Sequence, residues 1–196
     1  MMRVICMTTI DKTLPPTKLL MVLPKGTIYK EYSLPEGYSY VSWNDSMKDK
    51  WCELHLLTGV FDDKKDALAS LEKIDQKQLV LVQNAEGELV GSGALMNGDE
   101  YGMKRLSLQN LSVSEDDQYQ GIGKAIVSHL ALQYEASPSK YPLYCAVPLG
   151  AYGAVILLSR MEFTPYLGEF KGCSEKENRD NWETETKILK EKTQMQ

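Results

Sequence analysis

The sequence predicts an α+β fold in which helices flank a mixed, mostly antiparallel central sheet. Two observations support this fold class. Large apolar residues recur at period two in Tyr38 to Trp43 and in Arg105 to Val113, as in strands, whereas they recur at helical spacing in Met47 to Thr58 and in Gly121 to Ala136. The predicted order is strand, two helices, three strands, helix, strand, helix and two strands, with no internal repeat.

The N-terminal stretch is irregular and rich in proline. Its one apolar run, Lys18 to Leu23, could add an edge strand, which Pro24 would end. The alternation in Tyr38 to Trp43 predicts the first core strand. We therefore expect residues 1–35 to be an extension packed on the domain and residues 36–196 to form a single domain.

Two amphipathic helices are predicted next. Polar residues from Asn44 to Ser46 can cap the first helix, which Gly59 ends. Asp62 and Asp63 open the second. Both helices thus come before the central strands.

Three antiparallel strands follow these helices. A turn separates Gln78 to Gln83 from Glu88 to Met96, so these two segments predict a hairpin. Arg105 to Val113 alternates in the same way but shifts phase at Leu111. The long helix that comes next is expected to bury His129 on its apolar face.

The C-terminal third predicts a strand, a helix and a closing pair of strands. Tyr141 to Val147 has the composition of a buried strand, and Ala151 to Met161 that of an apolar helix. We expect Phe163 to Phe170 and Glu183 to Lys190 to pair as strands. The charged run Lys171 to Asn181 between them is expected to be an exposed loop.

The composition excludes several classes of function. A chain of 196 residues fits one domain, and its formal net charge of -5 opposes binding to a phosphate backbone. No apolar run approaches the roughly 20 residues of a membrane span. The cysteines are scattered and form no C-x-x-C pair. We therefore expect a cytoplasmic protein with reduced thiols, no metal site, and neither nucleic acid nor membrane as a partner.

A loop with two glycines at the start of a long helix indicates phosphate binding. Gln118 to Lys124 reads Q-Y-Q-G-I-G-K, and the unpaired amides of a helix N-terminus suit a pyrophosphate. The loop is not a nucleotide P-loop, because Ala125 stands where a magnesium-binding hydroxyl belongs. It is not a dinucleotide fingerprint either, because Ile126 replaces the third glycine.

Gln118 to Gly123 resembles the signature of the GNAT superfamily of acyl-CoA N-acyltransferases: Arg or Gln, two residues, Gly, one residue, then Gly or Ala. Leu111 and Val113 precede the loop at that superfamily's spacing. Ala154 with Val155, and then Met161 to Phe163, are similar to its second motif, although Glu162 replaces a glycine. The resemblance implies a GNAT-like fold.

A finer resemblance is to a bacterial branch of poorly characterised acetyltransferases within that superfamily. It is carried by the L-P-E-G-Y stretch from Leu34 to Tyr38, by Trp51 to His55, and by Gly59 with Phe61.

The superfamily resemblance implies that acetyl-CoA is a co-substrate and that no metal takes part. The strand end is expected to bind the pantetheine arm and the loop to bind the pyrophosphate, mainly through the main chain. The cofactor-binding residues implied are Leu111, Ser112, Val113, Gln118, Tyr119, Gln120, Gly121, Ile122, Gly123 and Lys124.

The resemblance also implies direct attack of an amine on the thioester in a ternary complex, with a main-chain amide near Leu111 to Val113 as oxyanion donor. Leu158 stands where relatives often have a tyrosine that acts as the general acid. Ser107 stands where some relatives have a glutamate that acts as the general base. The catalytic residues are therefore left open. The candidates are Ser107, Tyr144, Tyr152, Tyr166 and His55.

The acceptor expected from the resemblance is the amine of a small molecule. A degenerate module that senses acyl-CoA without turning it over is an alternative, and so is acetylation of a protein or peptide, since the fold does not fix the substrate. An edge strand or the Lys171 to Asn181 loop could join two copies in a homodimer.

Overall fold

The computed structural model describes residues 11, 13–27 and 30–194. The strands it contains are β1 (Lys18–Leu23), β2 (Ser39–Val41), β3 (Leu79–Gln83), β4 (Leu89–Gly98), β5 (Arg105–Val113), β6 (Leu143–Pro148) and β7 (Thr164–Pro165). The α-helices are α1 (Lys48–Leu57), α2 (Lys64–Leu71), α3 (Ile122–Ala136), α4 (Tyr152–Arg160) and α5 (Glu175–Gln194).

These strands form one sheet in the order β2-β3-β4-β5-β6-β1-β7. Every neighbouring pair is antiparallel except β5 and β6, which are parallel. Helices α1 and α2 cover one face through a cluster around Trp51 and Ala67, and α3 and α4 cover the other through Ile126 and Val155. The predicted fold class, mixed and mostly antiparallel, is confirmed.

The elements from β2 to β5 lie where the sequence predicts them. Asn44 caps a short 3-10 turn that leads into α1, and Asp63 caps α2 through its side chain. β2 lies at the edge of the sheet, with Tyr40 40% exposed, so this predicted core strand is a border strand.

α3 lies close to the sheet because β4 presents glycine beneath it. A Cβ added at Gly93 would lie 2.7 Å from Ile126 Cγ2, and one at Gly91 would lie 3.0 Å from Ile126 Cδ1. His129 is not in this contact, and its predicted core position is wrong. Its side chain is 34% exposed, with Nδ1 3.4 Å from Glu31 Oε1.

The N-terminal strand is an interior strand, which corrects the prediction of an edge strand. β1 pairs antiparallel with all of β6 on one side and with β7 on the other. Its middle residues, Leu19 to Met21, are fully buried. A continuous apolar run places apolar side chains on both faces of its strand, as an interior strand of a sheet that is covered on both faces requires.

The predicted strand from Glu183 to Lys190 is wrong, because this segment belongs to α5. The predicted exposed loop is also helical from Glu175 onward. Ser174 and Glu177 form a capping box, in which the amide of Glu177 donates to Ser174 Oγ and the amide of Ser174 donates to Glu177 Oε2. Ion pairs one helical turn apart, Lys176 with Asp180 and Arg179 with Glu175, add to this helix.

Only two residues of the predicted strand from Phe163 to Phe170 pair with the sheet, as β7. Pro165 has no amide hydrogen to extend the ladder. The chain then turns away, and Phe170 pairs with Cys173 in an isolated bridge. The sheet position beside β6 is therefore filled by β1 from the N-terminal side rather than by a C-terminal strand.

Candidate functional site

The two parallel strands at the centre of the sheet separate along their length. In the described part of the chain, β5 and β6 pair only where Ser107 lies opposite Tyr144, near the start of both strands. Beyond that point β5 continues to Val113 without pairing to β6. Unpaired main-chain groups along such an opening can bind an extended ligand as an additional strand would.

β5 carries a bulge within this opening. Ser92 on β4 pairs with Ser112, but Ala94 pairs with Gln109, so β5 has one extra residue between the two pairs. Asn110 adopts a left-handed conformation, with φ of 53°. The predicted phase shift at Leu111 is this bulge, which turns the following peptide out of the regular ladder.

The C-terminal end of α1 is joined to this bulge by two side chains. His55 is fully buried, with Nε2 3.0 Å from the carbonyl oxygen of Asn110 and Nδ1 2.8 Å from that of Trp51. Thr58 Oγ1 lies 3.0 Å from Ser112 Oγ. Burial lowers the pKa of the His55 imidazole, while the two facing carbonyls oppose that shift.

The helix after the opening begins with amides that no side chain caps. Gly121 is the N-cap of α3 in a left-handed conformation, with φ of 100°, and its carbonyl accepts the first helical bond, from Ala125. The amides of Ile122, Gly123 and Lys124 therefore precede the helical ladder. No described atom lies within 4 Å of the position where a Cβ of Gly121 would be. This arrangement fits a pyrophosphate.

Side chains hold the loop before α3 in place. Gln118 Nε2 donates to the carbonyl of Val113 at 3.0 Å, and Ser114 Oγ donates to Asp117. The hydroxyl of Tyr38 donates to Asp117 Oδ1 at 2.7 Å and lies 3.1 Å from Gln120 Oε1. The glutamine of the signature therefore joins the end of β5 to the loop.

The remaining loop side chains point in different directions. Tyr119 is 72% exposed and has φ of 63°. A Cβ at Gly123 would lie 3.0 Å from Leu157 on α4, so glycine there allows the two helices to approach. Lys124 Nζ lies 3.8 Å from the centre of the Tyr32 ring. Tyr119 and Gln120 are thus both exposed to solvent.

Comparison with solved structures identifies this architecture. A GCN5-related N-acetyltransferase from Sphaerobacter thermophilus matches with a TM-score of 0.61 and 14% identity over 76% of this chain and 48% of that chain. The ribosomal-protein-S18-alanine N-acetyltransferase from Escherichia coli matches with a TM-score of 0.51 and 18% identity over 65% and 77%. The chain has the fold of the GNAT superfamily.

A tandem GNAT protein from the clavulanic acid biosynthesis pathway matches with a TM-score of 0.54 and 16% identity over 77% of this chain and 50% of that chain. This chain spans about half the length of the first three structures it matches, at 48%, 47% and 47%. No protein-family model and no curated protein matches the sequence.

Within this GNAT fold, Ser107 and Tyr144 lie at the closed end of the opening. Both are buried, and the Tyr144 hydroxyl donates to Glu100. Burial, followed by this carboxylate, raises the pKa of Tyr144. A Cβ at Gly98 would overlap the Tyr144 hydroxyl, so the phenol reaches across β5 to the end of β4.

Distance along β5 separates these groups from the bulge. Gly98 lies opposite Arg105, and at about 3.3 Å per residue this level is roughly 20 Å from Leu111, while Ser107 is roughly 13 Å from it. Both groups therefore lie several residues before the bulge along β5.

Two other tyrosine candidates face different surroundings. The Tyr152 hydroxyl lies 3.4 Å from Asp11 Oδ2, and Lys192 Nζ lies over its ring. Burial raises the pKa of Tyr152 to about 12. Tyr166 contacts the Tyr101 ring and donates to the carbonyl of Glu169. The recorded contacts of both side chains are with segments other than β5.

The structure accounts for two positions at which this sequence departs from the second GNAT motif. Leu158 is fully buried in the core, so an apolar side chain fills the place of the expected acid. Glu162 has φ of 62°, the left-handed conformation that favours the glycine found there in relatives.

Several residues of the site were not predicted from the sequence. Asn110 forms the bulge, Tyr38 anchors the loop before α3, and Glu100 pairs with Tyr144. The phase shift at Leu111 was a usable signal for the bulge. The other two contacts join segments that are far apart in the chain and have no local signature.

Two kinds of feature are absent from the part of the chain that the structure describes. Among these residues, no three His, Cys, Asp or Glu side chains are grouped so that they could hold a metal ion. None of the helices described there is long and apolar enough to cross a membrane.

Proposed function

We propose that this protein is an N-acetyltransferase that moves an acetyl group from acetyl-CoA to the amine of a small molecule. The observation that carries the proposal is the opening between β5 and β6, which leads to the uncapped amides of α3. Three features in series suit the parts of one extended ligand. The bulge of the strand suits the thioester, the opening suits the pantetheine arm, and the N-terminus of the helix suits the pyrophosphate.

The residues of the chain have distinct roles in this proposal. The amides of Ile122 to Lys124 bind the pyrophosphate, and the unpaired edge of β5 from Leu111 to Val113 binds the pantetheine arm. The carbonyl of Val113 already accepts a bond from Gln118, which fixes this end of the strand. The side chain of Ser112 is turned to Thr58, so Ser112 contributes its main chain to the ligand.

The chemistry is direct attack by a neutral amine. The incoming ammonium first loses a proton, the amine nitrogen then bonds to the thioester carbon, and CoA leaves as a thiolate that takes up a proton. A main-chain amide at the bulge stabilises the oxyanion. Because Ser107 lies far along the strand and offers only a hydroxyl, proton transfer runs through ordered water.

The first experiment is isothermal titration of acetyl-CoA into the wild-type protein and into Gly121→Val. The substitution places a side chain in the open space beside the α3 amides, so we expect affinity to fall at least about tenfold, or about 1.4 kcal/mol. Gly87→Val is the matched control, because Gly87 also has a positive φ and open surroundings but lies in the β3–β4 turn.

The control protein should bind acetyl-CoA as the wild type does. Wild-type protein that binds no acyl-CoA would refute the proposed function. Release of CoA with a library of small amines then separates an enzyme from an acyl-CoA sensor, the alternative that the buried Leu158 favours. A sensor binds acetyl-CoA without amine-dependent release.

A further inference from the structure

His55 contacts the main chain of β5 at the bulge. Its imidazole is fully buried beneath the bulge of β5, with its ring centre 3.9 Å from that of Trp51 and 5.9 Å from that of Phe61. Each ring nitrogen faces a main-chain carbonyl, Trp51 on its own helix and Asn110 on the strand. A neutral imidazole has one N–H, so it donates a hydrogen bond to only one of these two carbonyls.

The bonded carbonyl belongs to the peptide that joins Asn110 to Leu111. In a trans peptide the C=O and N–H groups are coplanar and point in opposite directions. A donor that holds the Asn110 carbonyl on the α1 side therefore turns the Leu111 amide away from α1. Because Asn110 is left-handed, this peptide lies outside the regular ladder and needs another partner to fix its orientation.

We infer that His55 is a positioning residue that acts through this peptide. By donating from Nε2 to the Asn110 carbonyl, it holds the Leu111 amide in the direction of the acyl oxygen of the bound thioester. The same bond polarises the peptide and strengthens the Leu111 amide as a donor. This inference rests on the proposed function, since it assigns the orientation of its oxyanion donor.

Substitution of His55 by glutamine or by asparagine tests the contacts of its two ring nitrogens one at a time. The side-chain nitrogen of the glutamine in His55→Gln can occupy the place of Nε2, whereas that of the asparagine in His55→Asn can occupy the place of Nδ1. The first keeps a donor for the Asn110 carbonyl, whereas the second places its donor at the Trp51 carbonyl and leaves the Asn110 carbonyl without one. Both replace the ring at the same buried position with an uncharged side-chain amide.

Thr58→Val is the control for general attachment of α1. It removes the bond between Thr58 and Ser112, another link from the same helix to the same strand, and leaves the Asn110–Leu111 peptide untouched. If any loosening of α1 changed the site, this variant would behave as His55→Asn does.

The measurement is the infrared stretch of the thioester carbonyl in acetyl-CoA labelled with ¹³C at that carbon, bound to each protein. A hydrogen bond to the acyl oxygen lowers this frequency. We expect the shift in the wild type, in His55→Gln and in Thr58→Val, and we expect His55→Asn to move back toward the frequency of free acetyl-CoA. Affinity for CoA without the acetyl group should remain within about threefold, because the phosphate loop is unchanged.

An unchanged frequency in bound His55→Asn would overturn the inference, as would equal losses in Thr58→Val and His55→Asn. If His55→Asn does not fold, loss of the shift in His55→Gln overturns it, because that variant retains the one bond that matters. Absence of acetyl-CoA binding by the wild type is a separate result, since it refutes the proposed function itself.

Discussion

The two halves of the sheet on either side of the opening are built differently. From β2 to β5, neighbouring strands follow one another in the chain and are joined by short turns or by α1 and α2. Beyond β5, β6 pairs with β1, which comes from more than 100 residues earlier, and β1 in turn pairs with the two-residue β7.

This difference shows which part of the site depends on local sequence. The bulge, the loop before α3 and α3 itself form one continuous segment, from Arg105 to Ala136. The opposite wall of the opening, β6, is supported by β1, so its position depends on docking of the N-terminal segment. We expect the two halves to respond differently to substitution.

The largest effect is expected where the distant segment enters the sheet. Leu20 is fully buried in β1, so Leu20→Ala should lower the free energy of unfolding by about 2 to 5 kcal/mol through lost burial and a cavity. Urea denaturation measures this loss. Leu57→Ala is the matched control at a site that is 77% exposed, and it should change stability by less than about 0.5 kcal/mol. Similar losses in both variants would show that β1 is not part of the core.

A smaller effect is expected in the locally ordered half. Gly93→Ala places a methyl group 2.7 Å from Ile126 Cγ2, so α3 must move away from β4. Overpacking of this kind should cost about 1 to 3 kcal/mol in urea denaturation. In an Ile126→Ala background the same change should cost less, because the contact is gone. An equal cost in both backgrounds would place the strain elsewhere.

The smallest effect is expected from titration of His55, which joins α1 to the bulge. Burial holds its folded pKa below the usual value near 6.5, so the unfolded chain takes up a proton first as the pH falls. Stability should therefore be full above about pH 7.5 and fall toward about pH 5.5. Wild type should lose more stability over this range than His55→Asn, as measured by urea denaturation at each pH. Equal losses would mean that the folded pKa of His55 is not lowered.

Much of the fold could be predicted because its signals are local. A turn between two apolar segments predicts the β3–β4 hairpin, and period-two alternation predicts β5. Caps at Asn44 and Asp63 mark the starts of the helices, and the phase shift at Leu111 marks the bulge. The capping box at Ser174 was also in the sequence, and it explains why the C-terminal segment is a helix.

The errors at β1 and at His129 share a physical cause. Whether a buried apolar run such as β1 lies at an edge or in the interior of a sheet depends on which strands reach it, and no local pattern encodes that choice. His129 has helical spacing typical of a core position, but the neighbouring Glu31 and Tyr40 belong to a distant segment. Tertiary contacts decide both cases.

The sequence alone determined the secondary structure around the loop before α3, the two glycines of that loop and the resemblance to the GNAT signature, because each resides in consecutive residues. Only the tertiary structure decided that β1 supports β6, that Tyr144 points to Glu100 at the closed end of the opening, and that His55 holds the Asn110 carbonyl. These are contacts between residues far apart in the chain, and they exist only once the sheet and helices have packed together.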